Sequence, residues 1–484
     1  LVQGKPLLRC SENGWPLMRT TARTELLFPL ERARDPRKFG SKASLLSRIA
    51  GRGYRVPRAY VCPFDVQRRY EEAPDATIQR LRTQLRRLIL PGRSYCVRSS
   101  ADVEDGLEWS FAGQFDTYLH LLSLDEVVEG VQQVWHGATQ TRTAGYASHA
   151  GVSTQSGRIA VIIQEMVHPV VSGIAFTRNP VTGFDETIVE TFPGYGAAIM
   201  QGGQTPSRWV WKWGRYRERG DGRDEHLVSE VVRQGREMAR HFGRPLDIEW
   251  AFDGQCVHWL QGREITSVRG VDIYSNRIAR EQLPGLIKPL VWSVNIPVVC
   301  GAWKRILVQL LGKPAESIDV TRLARPFCFR AYYNMGIVGD AFELLGMPRE
   351  ATELMMGMET VGPDAPRMRP GWRSLRYLPR FFAFVIRIVF FDSALRCFVW
   401  HQWRRYEALV GPQGKETVGV DIPTSLERLK ALSMEGAYYL VITELLLGVY
   451  TMLLKRALAR KGLMLDESMF EPAVALTAEV EQRR

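Results

Sequence analysis

Within residues 244–266, apolar and polar residues alternate over 246–250 and 257–259, on either side of the pair Asp253-Gly254. Strict alternation is typical of a strand with one face buried, and an Asp-Gly pair between two such runs favours a tight turn. The pattern therefore predicts a β-hairpin in this part of the chain.

The predicted hairpin carries four polar side chains in two pairs: Asp247 and Glu249, then Gln261 and Arg263. Residues two apart on a strand face the same side, so each pair shares a face. Such a patch is costly to bury unless something binds it. A divalent cation with polyphosphate is one interpretation, because carboxylate oxygens bind the metal and a guanidinium binds phosphate. The alternative is a surface hairpin with cross-strand salt bridges.

Strand-length apolar runs alternate with helical periodicity through the rest of the first half. Strands are expected at residues 54–62, 94–101, 158–166, 172–178, 186–191 and 209–213, and helices at 67–90, 125–148 and 225–242. The run 158–166 is apolar almost throughout, which is typical of a strand buried on both faces. Its polar exception, Gln164, lies near the C-terminal end, where ligands often bind.

Gly40 and Ser41 precede a helix expected to run to about residue 50, with Ser41 as its candidate N-cap. Lys42 falls in the first turn, where a cation opposes the helix dipole. It is well placed to meet an anion at the free N–H groups. A solvated surface lysine is the alternative interpretation.

Arg98 lies near the end of the predicted strand 94–101, and an acidic loop follows it. Gly113 stands in the small-residue stretch 110–117 beyond that loop. Glycine lets backbone amides approach a ligand closely. The stretch is therefore interpreted as a flap over a phosphate-binding arginine, with a plain hairpin connection as the alternative.

Chain length, net charge and cysteine content narrow the class of protein. A chain of 484 residues predicts two or three domains, and its formal net charge of +12 favours anionic partners. Seven cysteines without a C-x-x-C spacing indicate reduced thiols and a cytoplasmic location. The most apolar run, residues 381–391, carries Arg387 and is too short to cross a membrane. It is expected to be a buried or interfacial helix, and no membrane span is expected.

Six segments, in this order along the chain, resemble the N-terminal ATP-binding domain of the phosphoenolpyruvate synthase family. That family includes pyruvate phosphate dikinase and rifampicin phosphotransferase. The segments are GSKASLL (40–46), VRSSADVEDGLEWSFAGQFDTYL (97–119), IAVIIQEMV (159–167), SGIAFTRNPVTG (172–183), TPSRWV (205–210) and DIEWAFDGQCVHWLQGREIT (247–266). The resemblance implies an α+β ATP-grasp fold, in which two subdomains clasp ATP, followed by a mainly α-helical domain.

The resemblance also implies roles for individual residues. Phosphate binding and catalysis would fall to Lys42, Arg98 and Arg263. The phosphate-covering loop would include Gly113 and Thr117. The adenine and the ribose would meet Gln164 and Glu190, respectively. The nucleotide and its Mg²⁺ would be held by Glu249, Gln261 and the second carboxylate, Asp247.

Two motifs depart from the family's pattern. Ser41 replaces the second glycine of Gly-Gly-Lys, and a small residue is tolerated there. Gly194-Tyr-Gly-Ala197 lacks the acid of the family's Gly-Leu-Gly-Glu, so the contacts of that loop differ. Glu190 is left as the candidate for the ribose.

Members of the family pass phosphate through a histidine on a swivelling domain. Of the eight histidines here, only His149 has a similar Ser-His setting, and it lacks the preceding glycine pair. A solvated histidine at a helix end is the preferred interpretation of His149. The phosphohistidine domain is therefore expected in trans or in a missing C-terminal part.

Three regions are predicted: an N-terminal extension (1–34), the ATP-grasp domain (35–270) and a mainly helical, truncated substrate or docking domain (271–484). Residues 276–295 resemble the start of the central domain of rifampicin-phosphotransferase-like members. The segment 366–391 has six arginines and no acidic residue. It is interpreted as a packing helix with a basic outer face, a docking face for a partner domain, or a nucleic-acid or membrane surface.

The sequence thus favours the Mg-ATP-binding module of a dikinase-type phosphotransferase. It would transfer phosphate from ATP to a histidine of a partner domain or chain, and then to an unknown small-molecule acceptor. The alternative is a nucleotide sensor or scaffold without catalysis. A nucleic-acid-binding protein is the least favoured, since only net charge and the arginine-rich segment support it.

Overall fold

The computed structural model describes residues 25–101, 117–148, 158–195, 205–268, 271–282, 285–356, 362–367, 369, 371–410 and 422–460. The chain divides into two compact units. The first comprises Leu1–Val181, Asp185–Lys212 and Tyr216–Arg269, and the second comprises Thr182–Phe184, Trp213–Arg215 and Gly270–Arg484.

The first unit contains a five-stranded sheet with the order β1-β2-β5-β3-β4, in which all neighbours are antiparallel. Its strands are β1 (Phe28–Pro29), β2 (Ala59–Cys62), β3 (Tyr95–Ala101), β4 (Thr117–Leu121) and β5 (Ile159–Glu165). Its helices are α1 (Pro36–Ala50), α2 (Phe64–Glu72), α3 (Pro74–Leu85) and α4 (Leu124–Ser148). Ile163 of β5 packs in the core formed with α3 and α4, whereas Ile162 packs in the core formed with α1. The prediction of a strand buried on both faces is confirmed.

A second, six-stranded sheet follows, with the order β11-β10-β6-β7-β8-β9. Its strands are β6 (Val171–Phe176), β7 (Thr187–Pro193), β8 (Ser207–Lys212), β9 (Arg215–Glu218), β10 (Leu246–Phe252) and β11 (Val257–Glu264). Helix α5 (Glu225–Phe242) covers one face, where Val228 and Val231 pack with Ile248, Trp250 and Trp209 of the sheet. The helix has the bounds that its periodicity predicts.

The predicted hairpin is confirmed: β10 and β11 are antiparallel partners, joined by a turn that begins at Asp253. The Asp253 Oδ1 atom accepts hydrogen bonds from the backbone N–H groups of Gln255 and Cys256, both at 2.8 Å. Gly254 has φ +95°, a conformation that glycine adopts without strain. The register shifts by one residue between Glu249 and Trp250, which marks a β-bulge.

Helix α1 differs from its prediction. It begins at Pro36, and the Asp35 side chain caps it by accepting a hydrogen bond from the Arg37 N–H at 3.0 Å. Gly40 breaks the helix with φ +79° and ψ 166°. The prediction that Ser41 caps the helix is wrong, because its hydroxyl donates to the carbonyl of Ala101 at 3.4 Å.

The second part of α1 is instead capped by a neighbouring strand. The Ala43 N–H donates to the Ser100 hydroxyl of β3 at 3.1 Å, in a buried setting. A free N–H group at a helix start thus finds its acceptor on β3 rather than within the helix. This bond ties the Lys42 segment to the strand that carries Arg98.

The predicted helix at residues 67–90 is two helices, α2 and α3. Pro74 begins α3, and Ala73 before it is non-helical. Proline restricts the residue before it to extended conformations, so the helix ends there. The apolar periodicity continues across this break and conceals it in the sequence.

The second unit is mostly helical, with a three-stranded sheet that the sequence analysis did not predict. The strands are β12 (Tyr274–Ser275), β13 (Ala324–Phe327) and β14 (Arg330–Asn334). The helices are α6 (Ala279–Gln282), α7 (Pro289–Leu311), α8 (Met335–Leu344), α9 (Thr352–Met355), α10 (Leu378–Val389), α11 (Phe391–Val410) and α12 (Ile422–Arg460). Short 3₁₀ turns lie at Leu30–Arg32 in the first unit, and at Lys313–Ser317, Val320–Arg322, Arg349–Ala351 and Trp372–Tyr377 in the second.

Helix α7 of the second unit bears on the expectation that the chain has no membrane span. Among the described residues, α7 alone is long and apolar enough to span a membrane, by length and composition only. Core helices pass the same test, and Trp292, Cys300 and Leu311 of α7 are buried in the core of the unit. The expectation of no membrane span therefore stays a prediction.

Residues 381–391 are expected to form a buried or interfacial helix, and α10 contradicts only the buried alternative. None of its residues is buried, and Phe381 and Phe382 are 52% and 60% exposed. The helix ends at Val389, and α11 begins two residues later. The three interpretations of the basic segment stay predictions.

The close approach of Gly40 to β3 predicts an effect on stability. In Gly40→Ala, the new methyl group would overlap the carbonyl and hydroxyl of Ser100, and alanine would be strained at this φ and ψ. We expect the free energy of unfolding to fall by about 2 kcal/mol or more, measured by chemical denaturation.

Gly137→Ala is the matched control for this measurement. Among the described residues, nothing lies within 4 Å of a Cβ at that position of α4. Alanine is the better helix former, so the control is expected to be neutral or slightly stabilised. Equal stabilities of the two variants would contradict the packing of Gly40 against Ser100.

Candidate functional site

Arg98 links the two sheets of the first unit. Its Nη1 atom donates to the Glu249 Oε2 and to the Gln261 Oε1, both at 3.0 Å. Glu249 and Gln261 lie directly opposite each other on β10 and β11. The Arg98 side chain is only 12% exposed, so these contacts differ from an ordinary surface ion pair.

Asp247 and Arg263 form the next cross-strand pair on the same face of the hairpin. The Arg263 Nε donates to the Asp247 Oδ2 at 2.7 Å. Burial raises the pKa of the Asp247 carboxyl above its ordinary value, and the charges of Glu249 and Glu190 raise it further, whereas Arg263 lowers it. The carboxylates therefore lie close enough to repel one another, and a bound cation would relieve that repulsion.

Glu190 lies in the same row of the sheet as the hairpin carboxylate Glu249. Ile174 of β6 is opposite Glu249 on one side and opposite Glu190 on the other. Opposite residues share a face, and neighbouring strands are about 4.8 Å apart, so the two backbones lie roughly 10 Å apart. Glu190 is thus in the middle of β7, on the face that carries the hairpin carboxylates.

An apolar pocket adjoins this polar row. Its lining includes the apolar side chains Leu119, Met166, Val167, Ile174, Phe192 and Leu260, together with Arg98, Gln164 and Glu249. Gln164 is 1% exposed, and its Nε2 has no hydrogen-bond partner among the described residues. An unpaired buried amide beside apolar walls fits a flat heterocycle that offers an acceptor.

The remaining predicted residues fall around the same strands. Thr117 of β4 lies opposite Arg98. Lys42 follows Ser41, which contacts Ala101 at the end of β3. Gly113 and His149 lie outside the described residues, so the flap over Arg98 and the nature of His149 stay predictions.

Several pocket residues were not predicted from the sequence. Met166 and Phe192 were missed because apolar residues near strand ends give no chemical signal. Tyr195 also lines the pocket, and its hydroxyl lies 2.6 Å from the His168 Nδ1. The Gly194-Tyr195 loop was noted in the sequence only because it lacks the glutamate of the family's Gly-Leu-Gly-Glu motif.

The alternative of a plain surface hairpin accounts for part of this geometry. The Asp247–Arg263 pair is a cross-strand salt bridge within the hairpin, as that alternative predicts. Arg98 belongs to the other sheet and is nearly buried, which the alternative does not explain. A buried charge needs several polar partners, and the hairpin supplies them.

Comparison with known proteins identifies the domain. Residues 63–215 match the family model described as the pyruvate phosphate dikinase AMP/ATP-binding domain. A probable phosphoenolpyruvate synthase of Archaeoglobus fulgidus is 35% identical over 202 residues, covering 36% of this chain and 27% of the relative. A rifampicin phosphotransferase of a Streptomyces species is 33% identical over 261 residues, covering 48% of this chain and 30% of the relative.

A third relative is the prodigiosin synthesizing transferase PigC of Serratia marcescens. It is 30% identical over 287 residues, covering 48% of this chain and 32% of the relative. The chain thus spans less than a third of the length of each of these three relatives. It carries the N-terminal AMP/ATP-binding domain of the phosphoenolpyruvate synthase and pyruvate phosphate dikinase family.

Proposed function

We propose that this chain binds Mg-ATP as the nucleotide-binding module of a dikinase-type phosphotransferase. It would pass phosphate from ATP to a histidine of a partner domain or chain, and from there to a small-molecule acceptor. The observation that carries the proposal is the contact of Arg98 with both Glu249 and Gln261 beside an apolar pocket.

We further propose that the two sheets of the first unit are the two jaws of an ATP-grasp fold. Gln164 of the first sheet would meet the adenine, and Glu190 of the second would meet the ribose. The hairpin would hold the metal and the phosphates, and the flap that contains Gly113 would cover them. The pocket supports this arrangement because residues of both sheets line it.

The donor set of the hairpin fits Mg²⁺. Asp247, Glu249 and Gln261 offer carboxylate and amide oxygens, which this hard cation prefers. Bound there, Mg²⁺ would neutralise charge on the phosphate oxygens. The raised pKa of Asp247 fits a site that is completed by a cation, since burial and neighbouring carboxylates disfavour its charge.

The basic residues would then orient the phosphates. Arg98 and Arg263 pair with carboxylates in the structure, and each would turn toward phosphate oxygens when nucleotide is bound. Lys42, at the start of the second part of α1, would add a third cation. Phosphoryl transfer needs mainly positioning and fixed positive charge, which these residues supply.

The acceptor differs among the similar proteins by name. One is a probable phosphoenolpyruvate synthase, one a rifampicin phosphotransferase and one a prodigiosin synthesizing transferase. The shared part is the ATP-binding region, so the module is compatible with more than one acceptor. We therefore propose only a small-molecule acceptor, reached through the phosphohistidine of a partner.

Removing either side of the Arg98 contact is expected to abolish activity. We expect Arg98→Ala and Glu249→Ala to weaken Mg-ATP binding by about tenfold or more, because a hydrogen bond to a charged group contributes roughly 1.5–3 kcal/mol. Calorimetry measures the binding. Labelled ATP with a histidine domain of a relative, supplied in trans, measures AMP, phosphate and phosphoprotein.

Arg233→Ala is the matched control, because this arginine of α5 is exposed and pairs with Glu230. Labelling by the control at the level of the unmodified chain is expected. Labelling by Arg98→Ala at that same level would refute the assignment of the site. Tight Mg-ATP binding with no labelled histidine would instead favour the nucleotide sensor.

Gln164 is expected to set the preference for adenine. In Gln164→Leu, the affinity for ATP should fall about two- to tenfold, the worth of one neutral hydrogen bond, while weak binding of GTP stays unchanged. Stability should fall little, because the Gln164 Nε2 has no partner among the described residues and its Oε1 accepts only a weak hydrogen bond from the Cys96 Sγ at 3.9 Å. Calorimetry with both nucleotides and thermal unfolding test this, and an unchanged ratio of the two affinities would place adenine elsewhere.

A further inference from the structure

We propose that the tip of the β10–β11 hairpin binds a thiophilic divalent cation of the Zn²⁺ class through Asp253, Cys256 and His258. The three residues lie within the turn and the first residues of β11. Their ligand atoms all lie within 4.8 Å of one another. The proposal does not depend on the proposed function, because none of the three residues lines the pocket beside Gln164.

The spacing of the three ligand atoms fits tetrahedral coordination. The His258 Nε2 lies 2.8 Å from the Asp253 Oδ2 and 3.3 Å from the Cys256 Sγ, and the Asp253 Oδ2 lies 3.7 Å from that sulfur. With metal–ligand bonds of roughly 2.0–2.3 Å, ligand atoms of a tetrahedral site lie about 3.3–3.6 Å apart. The N···O distance alone is clearly shorter, as expected of a hydrogen bond between the two atoms.

The second oxygen of the aspartate is already held by the backbone. Asp253 Oδ1 accepts the N–H groups of Gln255 and Cys256, both at 2.8 Å, which leaves Oδ2 to face the other two ligands. Hydrogen bonds of this kind orient a ligating carboxylate before the metal arrives. The turn therefore already orients the Asp253 carboxylate, so metal binding has no further entropic cost for this ligand.

The contacts differ from those of a nucleophilic Cys-His-Asp arrangement. In that chemistry the histidine uses one ring nitrogen for the nucleophile and the other for the carboxylate. Here the sulfur and the carboxylate oxygen both contact the same nitrogen, Nε2. Three donors that converge on one point form a coordination site rather than a proton relay.

The donor set selects the class of metal. Thiolate and imidazole favour Zn²⁺ over Mg²⁺ and Ca²⁺, which take oxygen ligands. Three protein ligands leave a fourth position for water or another donor. A cavity lined by Cys256, Arg55, His226 and Glu230 adjoins the cluster and gives access to it.

Arg55 lies beside one of these ligand atoms, the Cys256 sulfur. Its Nη1 donates to the Cys256 Sγ at 3.0 Å, and its carbonyl accepts the Trp259 N–H at 2.8 Å. A metal-bound sulfur can keep such a hydrogen bond. The metal at the turn would thus be linked, through the Cys256 sulfur, to the segment around Arg55, which precedes β2.

The site is separate from the proposed Mg²⁺ site at the other end of the hairpin. Asp253 follows Asp247 by six residues, which is about 20 Å along a strand. The metal would hold the tip of the hairpin whose opposite end carries Arg263. Its binding can be measured without nucleotide.

Co²⁺ is the spectroscopic probe, and Zn²⁺ is measured by competition with it, on the full chain under reducing conditions. We expect about one equivalent of Co²⁺ to bind with a thiolate charge-transfer band. Cys256→Ser should abolish that band, and His258→Ala should weaken binding by about tenfold or more. Cys328→Ser, which removes an exposed cysteine of the second unit, is the matched control and should bind as the unmodified chain does.

A measurement on the unmodified chain guards against variants that fail to fold. Zn²⁺ should slow alkylation of Cys256 about tenfold or more while leaving the exposed Cys328 and Cys397 unaffected, as scored by peptide mass spectrometry. Absence of a stoichiometric Co²⁺ band would overturn the proposal, and so would equal protection of all three cysteines. Loss of ATP binding with retained Co²⁺ binding would count against the proposed function alone.

Discussion

The nearly buried charge of Arg98 is the constraint around which the first unit is arranged. A guanidinium with little access to water must find carboxylate and amide partners within the protein. Arg98 finds them on the other sheet, at Glu249 and Gln261. The two sheets must therefore meet at this point, and the apolar pocket beside it is a consequence of that meeting.

Helix α1 brings the sheets together by packing against both. On one side its Ala43 N–H bonds to Ser100 of β3. On the other side Leu45 and Ile49 pack over Gly262 of β11, where a Cβ would already lie 3.3 Å from both side chains. The same helix carries Lys42, so the element that sets the spacing of the sheets also carries one of the proposed phosphate ligands.

Much of the local structure follows from periodicity. The hairpin and helix α5 were predicted because each repeats a pattern with a period of two or near four residues, and the doubly buried strand β5 was predicted because its run is apolar almost throughout. Pro74 was overlooked as a break because the apolar pattern continues across it. The capping of α1 by Ser100 has no local signal at all, since its two partners are 57 residues apart.

The residue types of the candidate site are visible in the sequence, whereas their contacts are not. Charged residue types at fixed spacing indicate metal and phosphate, so Asp247, Glu249 and Arg263 stood out. The walls of the pocket did not, because Met166 and Phe192 are ordinary apolar residues until the fold places them. The cluster at the hairpin tip was overlooked because Cys256 has no second cysteine nearby, and the turn alone brings Asp253 and His258 to it.

The bulge beside Glu249 governs how the hairpin can be compared with other sequences. It pairs Glu249 with Gln261 but Trp250 with Trp259, so Leu260 is an extra residue on β11. Without the bulge, Trp250 would pair with Leu260, and every side chain from Trp259 to the turn would move to the opposite face. An alignment with a sequence that lacks the bulge must therefore leave a gap at this position, because otherwise the buried Trp259 would be placed on the face of the ligands and His258 on the face of the core.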